Sequence, residues 1–155
     1  MPSPLTIIPA NLDDVRVVAL LETHTTTARA QTARGSAHAL DVAALRAPDI
    51  ALWSAWSGDT LVGVGALKTL TPEHGEIKSM HVARDARGSG VGGALLGHLV
   101  DEARRRGLVR VSLETGAWPY FDAARALYRR HGFVDCGPFA GYVDDPNSCF
   151  MTRSI

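Results

Sequence analysis

Apolar positions fall along the chain in two alternating rhythms, and together they lay out its elements. Leu5 to Ile8 form a short apolar run closed by Pro9, which predicts a first strand. Asn11 is a good N-cap, with Asp13 and Asp14 in the positively polarised first turn of a helix striped by Val15, Val18, Ala19 and Leu21. The stretch Thr23 to Ser36 is polar and threonine-rich and ends in Arg34-Gly35-Ser36, so it reads as a long loop of the kind that often carries function. A second short helix follows, with Leu40, Ala44 and Leu45 on one side and Pro48 at its end.

Strands are predicted for Ile50 to Trp56 and Leu61 to Leu70, joined at Ser57-Gly58-Asp59-Thr60 by a hairpin turn. Trp53 and Trp56 lie three apart there, hence on opposite faces, so only one need enter the core. After the turn Thr71 to Gly75 comes a third strand, Glu76 to Val82. A helix from Val91 to Arg106 shows one apolar face through Val91, Leu95, Leu99 and Ala103, with Arg104 to Arg106 at its negative end. Val109 to Glu114 is a strand, and Asp122 to His131 a helix that Gly132 ends as a left-handed cap. Phe133 to Cys136 and Cys149 to Ser154 close the chain as strands. This order predicts a mixed α/β layered domain spanning residues 1–155, in which the βαβ unit from Glu76 to Glu114 requires one parallel strand pair.

Composition narrows the function classes. Sixteen Lys and Arg balance sixteen Asp and Glu, which argues against nucleic-acid or membrane binding by bulk charge. Cys136 and Cys149 are too few for a disulfide framework and fit no zinc spacing; they read as reduced, buried thiols. The six histidines show no metal spacing either, so no metal is expected. The start MPSPLTII lacks the features of a signal peptide and no apolar run is long enough to span a bilayer, so a cytoplasmic location is expected.

The one irregularity is glycine. Of 15 glycines, Gly88, Gly90, Gly92 and Gly93 crowd within six positions at a predicted helix start, next to Arg87. A helix N-terminus presents unpaired N–H groups and about half a positive charge, which makes it a natural phosphate seat. Glycines let the backbone approach an anion, and arginine adds a charged donor. Gly88, Gly90 and Gly93 also match the spacing of a dinucleotide fingerprint, but that motif begins where its strand ends, and residues 83–87 intervene. The Walker pattern fails for want of Gly-Lys-Ser/Thr, and a merely structural tight turn stays open.

Arg87-x-x-Gly90-x-Gly92, set between the strand Glu76 to Val82 and a helix, resembles the pyrophosphate loop of the GNAT superfamily of acetyl-CoA-dependent N-acetyltransferases. Ala124-x-x-Leu127-Tyr128-x-x-x-Gly132-Phe133 is similar to that family's late helix and following strand. Gly75-Glu76-Ile77-Lys78-Ser79-Met80, Glu114-Thr115-Gly116 and Asp145-Pro146-Asn147-Ser148 resemble the bacterial YsnE-type subgroup. The likeness implies a GNAT-like fold: a mostly antiparallel central sheet with one splayed parallel pair and helices on both faces. It further implies acetyl-CoA as cosubstrate, held by the backbone of Met80, His81 and Val82 and by the loop Arg87, Gly88, Ser89, Gly90, Val91, Gly92 and Gly93. One departure is Phe121, where many members carry an asparagine against the pantetheine arm.

For chemistry, the resemblance implies Tyr128 as the acid for the departing thiolate, with a core aromatic as the other reading. A thiol near 8.5 is already a fair leaving group, so modest help is expected. Glu76 matches the base position of some members and Glu114 is its rival, each alternatively a solvated strand-end carboxylate. Arg29, Arg34 and His38 on the expected loop are candidates for the acceptor, and two arginines would suit a carboxylate-bearing amine; solvated loop charge is the competing reading. Phe139, Tyr142 and Asp144 could wall the acceptor from the other side. The expected partner is a small-molecule amine, plausibly amino-acid-like, while a homodimer stays open. The alternatives are a protein N-terminal or lysine acetyltransferase and a non-catalytic acyl-CoA sensor.

Overall fold

A computed structural model describes residues 4–36 and 41–155. Seven strands form one sheet: β1 (Leu5–Pro9), β2 (Ile50–Ser57), β3 (Thr60–Thr69), β4 (His74–Val82), β5 (Arg110–Gly116), β6 (Val134–Cys136) and β7 (Ser148–Ser154). Their order is β1-β2-β3-β4-β5-β7-β6, and every pair is antiparallel except β4 with β5. Three helices complete the fold: α1 (Val15–Ala30), α2 (Val91–Arg105) and α3 (Asp122–Arg130). The mixed sheet with a single parallel pair, expected from the βαβ pattern, is what forms.

Alternation along β3 shows how the layers are built. Val64 and Ala66 join Val17 and Leu21 of α1 in one cluster, whereas Leu67 belongs to the cluster of Leu96 and Leu99 of α2. Gly65 lies on the α2 side too, where a Cβ would come within 3.1 Å of Leu99. The apolar face of α2, including Leu95, Leu96, Leu99 and Ala103, is wholly buried, and each leucine contributes about 1.5–3 kcal/mol by leaving water. Trp53 is core while Trp56 is half-buried beneath Arg16, in keeping with their opposite faces.

The N-terminal third departs from expectation. The first helix starts later, capped by the Asp14 carboxylate on the Arg16 amide (2.9 Å), while Asn11 only forms a local turn with Asp13. Its buried stripe is Val17, Leu21 and Thr25; Val15 is 79% exposed. The helix also continues through most of the predicted loop, to Ala30. Threonine is a poor helix former, yet Thr23 and Thr25 return their hydroxyls to the carbonyls of Ala19 and Leu21, and packing outweighs propensity. The second short helix is one 3₁₀ turn at Ala44–Arg46, and the predicted contribution of Leu40 lies outside the described residues. Cys136 and Cys149 are free and half-buried rather than fully buried.

Where the parallel pair parts, the sheet opens. β4 and β5 pair from His74 with Arg110 to Ile77 with Leu113 and no further. At that point β4 bulges: Ser79 takes φ 52°, and the register against β3 shifts between Val64 and Ala66. A bulge bends its strand and raises the local twist, which turns β4 away from β5.

Candidate active site

A cavity of about 470 Å³ occupies this gap, running from the glycine turn before α2 to a strap, residues 137–147, that lies over β4 and β5. Its two ends differ in construction. At one end, Gly88 and Gly90 carry φ of 78° and 89°, and a Cβ at either would meet nothing within 4 Å. Their glycine is required by backbone shape, because a left-handed conformation costs other residues about 1–2 kcal/mol. Gly92 and Gly93 serve packing instead. A Cβ on them would come within 3.0 Å of Leu127 and 3.4 Å of His131, so they let α3 approach α2. Gly90 caps α2 without a side-chain bond, leaving the first amides of the helix facing the cavity. Arg87 is exposed beside them, its Nε 3.4 Å from the Val82 carbonyl.

At the other end, side chains from distant parts of the chain converge. Glu76 is buried and its Oε2 accepts from Lys78 Nζ (3.0 Å) and from the Tyr142 hydroxyl (2.6 Å). Lys78 also donates to the Tyr142 oxygen (3.0 Å), closing a triangle. A buried ion pair repays its desolvation poorly, but removing one partner would strand the other charge at about 3–5 kcal/mol. Tyr142 follows two left-handed residues, Ala140 (φ 50°) and Gly141 (φ 82°), and packs against Phe139 and Phe150. The strap is anchored by Asn147, whose side chain accepts from Trp118 Nε1 (2.8 Å) and donates to Ser36 (3.4 Å).

Burial tunes the titratable groups. Desolvation pushes Tyr128 up to about 12, with the Glu114 carboxylate adding to the shift. Tyr142 is raised further still, by burial first and then by its bond to Glu76. Glu114 adds to the shift of both phenols and lines the cavity with them. His24 of α1 and His81 of β4 bring their Nδ1 atoms to 3.1 Å, one donating and the other accepting. Burial holds both rings down at about 4, so the pair is neutral.

Most candidate residues from the sequence line this one cavity. It takes in Glu76, Glu114 and Tyr128; Met80, His81 and Val82; Arg87, Gly88 and Gly90 to Gly93; and Phe121 and Tyr142. Phe121 lies flat on Gly116, where a Cβ would collide with its ring, so an aromatic stands where the asparagine was expected. The remaining candidates stand apart from the cavity or outside the described residues. Ser89 does not line the cavity, its hydroxyl turning back to the Ala86 carbonyl. Arg29, on the last turn of α1, and Arg34, in the turn beyond it, are exposed and off the cavity. Asp144 is likewise exposed, and Phe139 supports Tyr142 from behind. His38 lies outside the described residues.

Sequence reasoning misses Lys78, which stands there only as part of a motif, and the row His24, Thr27, Ala28 on α1. The i, i+3, i+4 spacing of that row beside Val17 and Leu21 is the available signal, obscured by the threonines. Among the described residues, no cluster of three or more His, Cys, Asp or Glu could hold a metal ion, and no helix is long and apolar enough to cross a membrane.

The family model of the acetyltransferase (GNAT) family matches residues 17–133, a span that includes the glycine turn, the parted strands and Tyr128. The chain belongs to the GNAT acetyltransferases. YsnE of Bacillus subtilis, an uncharacterized N-acetyltransferase, is 46% identical over 147 residues, covering 93% of this chain and 97% of YsnE. Among solved structures, a candidate acyl-CoA N-acyltransferase of Klebsiella pneumoniae superposes with a TM-score of 0.79 at 29% identity, covering 97% of each chain. A GNAT acetyltransferase of Elizabethkingia anophelis, solved with acetyl-CoA bound, shares the fold with a TM-score of 0.71 at 18% identity, over 97% of this chain and 98% of that one. This GNAT member is therefore an N-acetyltransferase, and its cavity joins the start of α2 to the carboxylates of Glu76 and Glu114 and to Tyr128.

Proposed function

We propose that this GNAT enzyme transfers an acetyl group from acetyl-CoA to the primary amine of a small, amino-acid-like molecule by direct attack in a ternary complex. The observation that carries the reading is the single cavity in the β4–β5 gap, with backbone amides at one end and Glu76, Glu114 and Tyr128 at the other. The residues fit the donor: the open turn at Gly88 and Gly90 and the first amides of α2 suit a pyrophosphate, with Arg87 alongside. Met80 to Val82, beyond the last β4–β5 pair, suit an extended arm laid along the strand. When bound, acetyl-CoA supplies the thioester, an activated acyl group.

The chain's own groups then manage one proton and one developing charge. The amine must be neutral to attack, which is easier for α-amines near 7.7–8.0 than for lysine near 10.4. The Oε2 of Glu76 is already engaged by hydrogen bonds from Lys78 and Tyr142. Glu114 is the better acceptor of the amine proton, directly or through water, for about 10²–10⁴-fold. As the C–N bond forms and the C–S bond breaks, Tyr128 faces the sulfur. A phenol at about 12 will not fully yield its proton to a thiolate whose thiol titrates near 8.5. Tyr128 therefore donates a hydrogen bond to the departing sulfur, and water completes the thiol.

Closure of the acceptor end by α1 and Tyr142 supports a small acceptor over a polypeptide. The test is release of free CoA across a panel of small amines and short peptides, preceded by a thermal shift with acetyl-CoA. Acetyl-CoA at a thousand times its Kd should add about 4 kcal/mol of stability. No shift would remove the donor assignment, and turnover on peptides alone would remove the small acceptor.

A further inference from the structure

The buried triangle of Glu76, Lys78 and Tyr142 is more than acetyl transfer to a plain amine requires. A base can be a lone carboxylate, yet here an ammonium whose side chain is only 8% exposed is held at the reacting end of the cavity. Lysine ammonium carries three protons, and among the described residues Lys78 uses two, on Glu76 and Tyr142. Both bonds to the carboxylate of Glu76 fall on Oε2 and neither uses Oε1.

The charged groups at this end are Glu76, Glu114 and Lys78, while the His24–His81 pair is neutral. An acceptor bearing only an ammonium would meet the carboxylates but leave the third Lys78 proton unanswered. A carboxylate on the same molecule answers it, and a buried group left unanswered is how a site rejects the analogue that lacks its partner.

We propose that the Glu76–Lys78 pair, held in register by Tyr142, is a receptor for a zwitterion: Lys78 takes the acceptor's carboxylate while Glu76 and Glu114 face its amine. The acceptor is then an amino acid or close analogue, with amine and carboxylate one or two carbons apart, matching two opposite charges 3.0 Å apart on the protein. This rests on the small-amine reading above. It moves carboxylate recognition from Arg29 and Arg34, which are exposed and off the cavity, to a lysine inside it.

The experiment compares kcat/KM, by CoA release, for the twenty common amino acids, their methyl esters and the corresponding decarboxylated amines. Wild type should prefer the free acid of its best side chain by about 10- to 100-fold, mostly through KM, as one charge-assisted hydrogen bond allows. Lys78→Met should remove that preference, bringing kcat/KM for the free acid down to that of its ester and decarboxylated amine. Because Lys78→Met strands Glu76, the double variant Lys78→Met/Glu76→Gln is measured beside it, with the acetyl-CoA thermal shift as the folding control. Esters, amines or diamines used as well as acids would overturn the proposal while the small-amine reading stands. An equal loss on all acceptors in Lys78→Met, with folding intact, would overturn it too. Turnover of peptides alone would overturn both.

Discussion

The donor and acceptor ends of the cavity are built on opposite principles. The donor end is built from neighbouring residues, Arg87 to Gly93 without Ser89, and presents backbone amides that a helix start cannot pair internally. The acceptor end is a set of side chains from α1, β4, β5 and the strap, closed by a bond from Tyr142 to Glu76 across 66 positions of sequence. A local backbone device needs only the right residues in order. A side-chain device needs the whole fold to bring its parts together, and it can be altered in one part without disturbing the other. On the function proposed above, the difference matches cosubstrate binding at the first end and selectivity at the second.

Substitutions should separate the two ends. Tyr128→Phe, at the junction, is expected to lower kcat by about 10- to 100-fold with little change in the KM for acetyl-CoA, since only a hydrogen bond to the leaving sulfur is lost. A kcat within twofold of wild type would confine Tyr128 to packing on Phe133. Gly90→Val forces a branched residue to φ 89° at the donor end. Strain of roughly 1–2 kcal/mol should raise the KM for acetyl-CoA about 10-fold and leave the ranking of acceptors untouched. An altered ranking would mean that the ends are not independent.

The smallest effect concerns the contact between α1 and β4. His24 and His81 remain neutral in the folded chain down to about 4, whereas the unfolded chain binds protons on them near 6.5. Their contribution is complete above about pH 6.5 and declines as pH falls toward 4, because the unfolded state then takes up more protons. Melting temperature should drop by roughly 5 °C between pH 7 and pH 5, and His24→Asn should flatten part of that drop. Identical slopes for the variant and wild type would detach the pair from stability.

The legibility of the candidate site follows the same division. Gly88 to Gly93 and Tyr128 stand out because their spacing is local. Arg29 and Arg34 draw attention through the segment Thr23 to Ser36, whose threonines disguise a helix; α1 continues to Ala30 with Arg29 exposed on its last turn, and Arg34 is exposed in the turn that follows. Lys78 lies within a recognisable motif, yet nothing near it in sequence announces that Tyr142 will cover it.

What the sequence determined by itself was the alternation of strands and helices, the parallel crossover around α2 and the glycine turn at its start. These follow from periodicity, handed connections and backbone stereochemistry, all of which act over a few neighbouring residues. Tertiary structure alone decided that β4 would bulge at Ser79 and part from β5, that α1 would extend over the opening, and that Glu76, Lys78 and Tyr142 would share one buried triangle. Those outcomes depend on which faces pack together and on excluding water from charges, and such energies exist only between parts of the chain that folding has brought into contact.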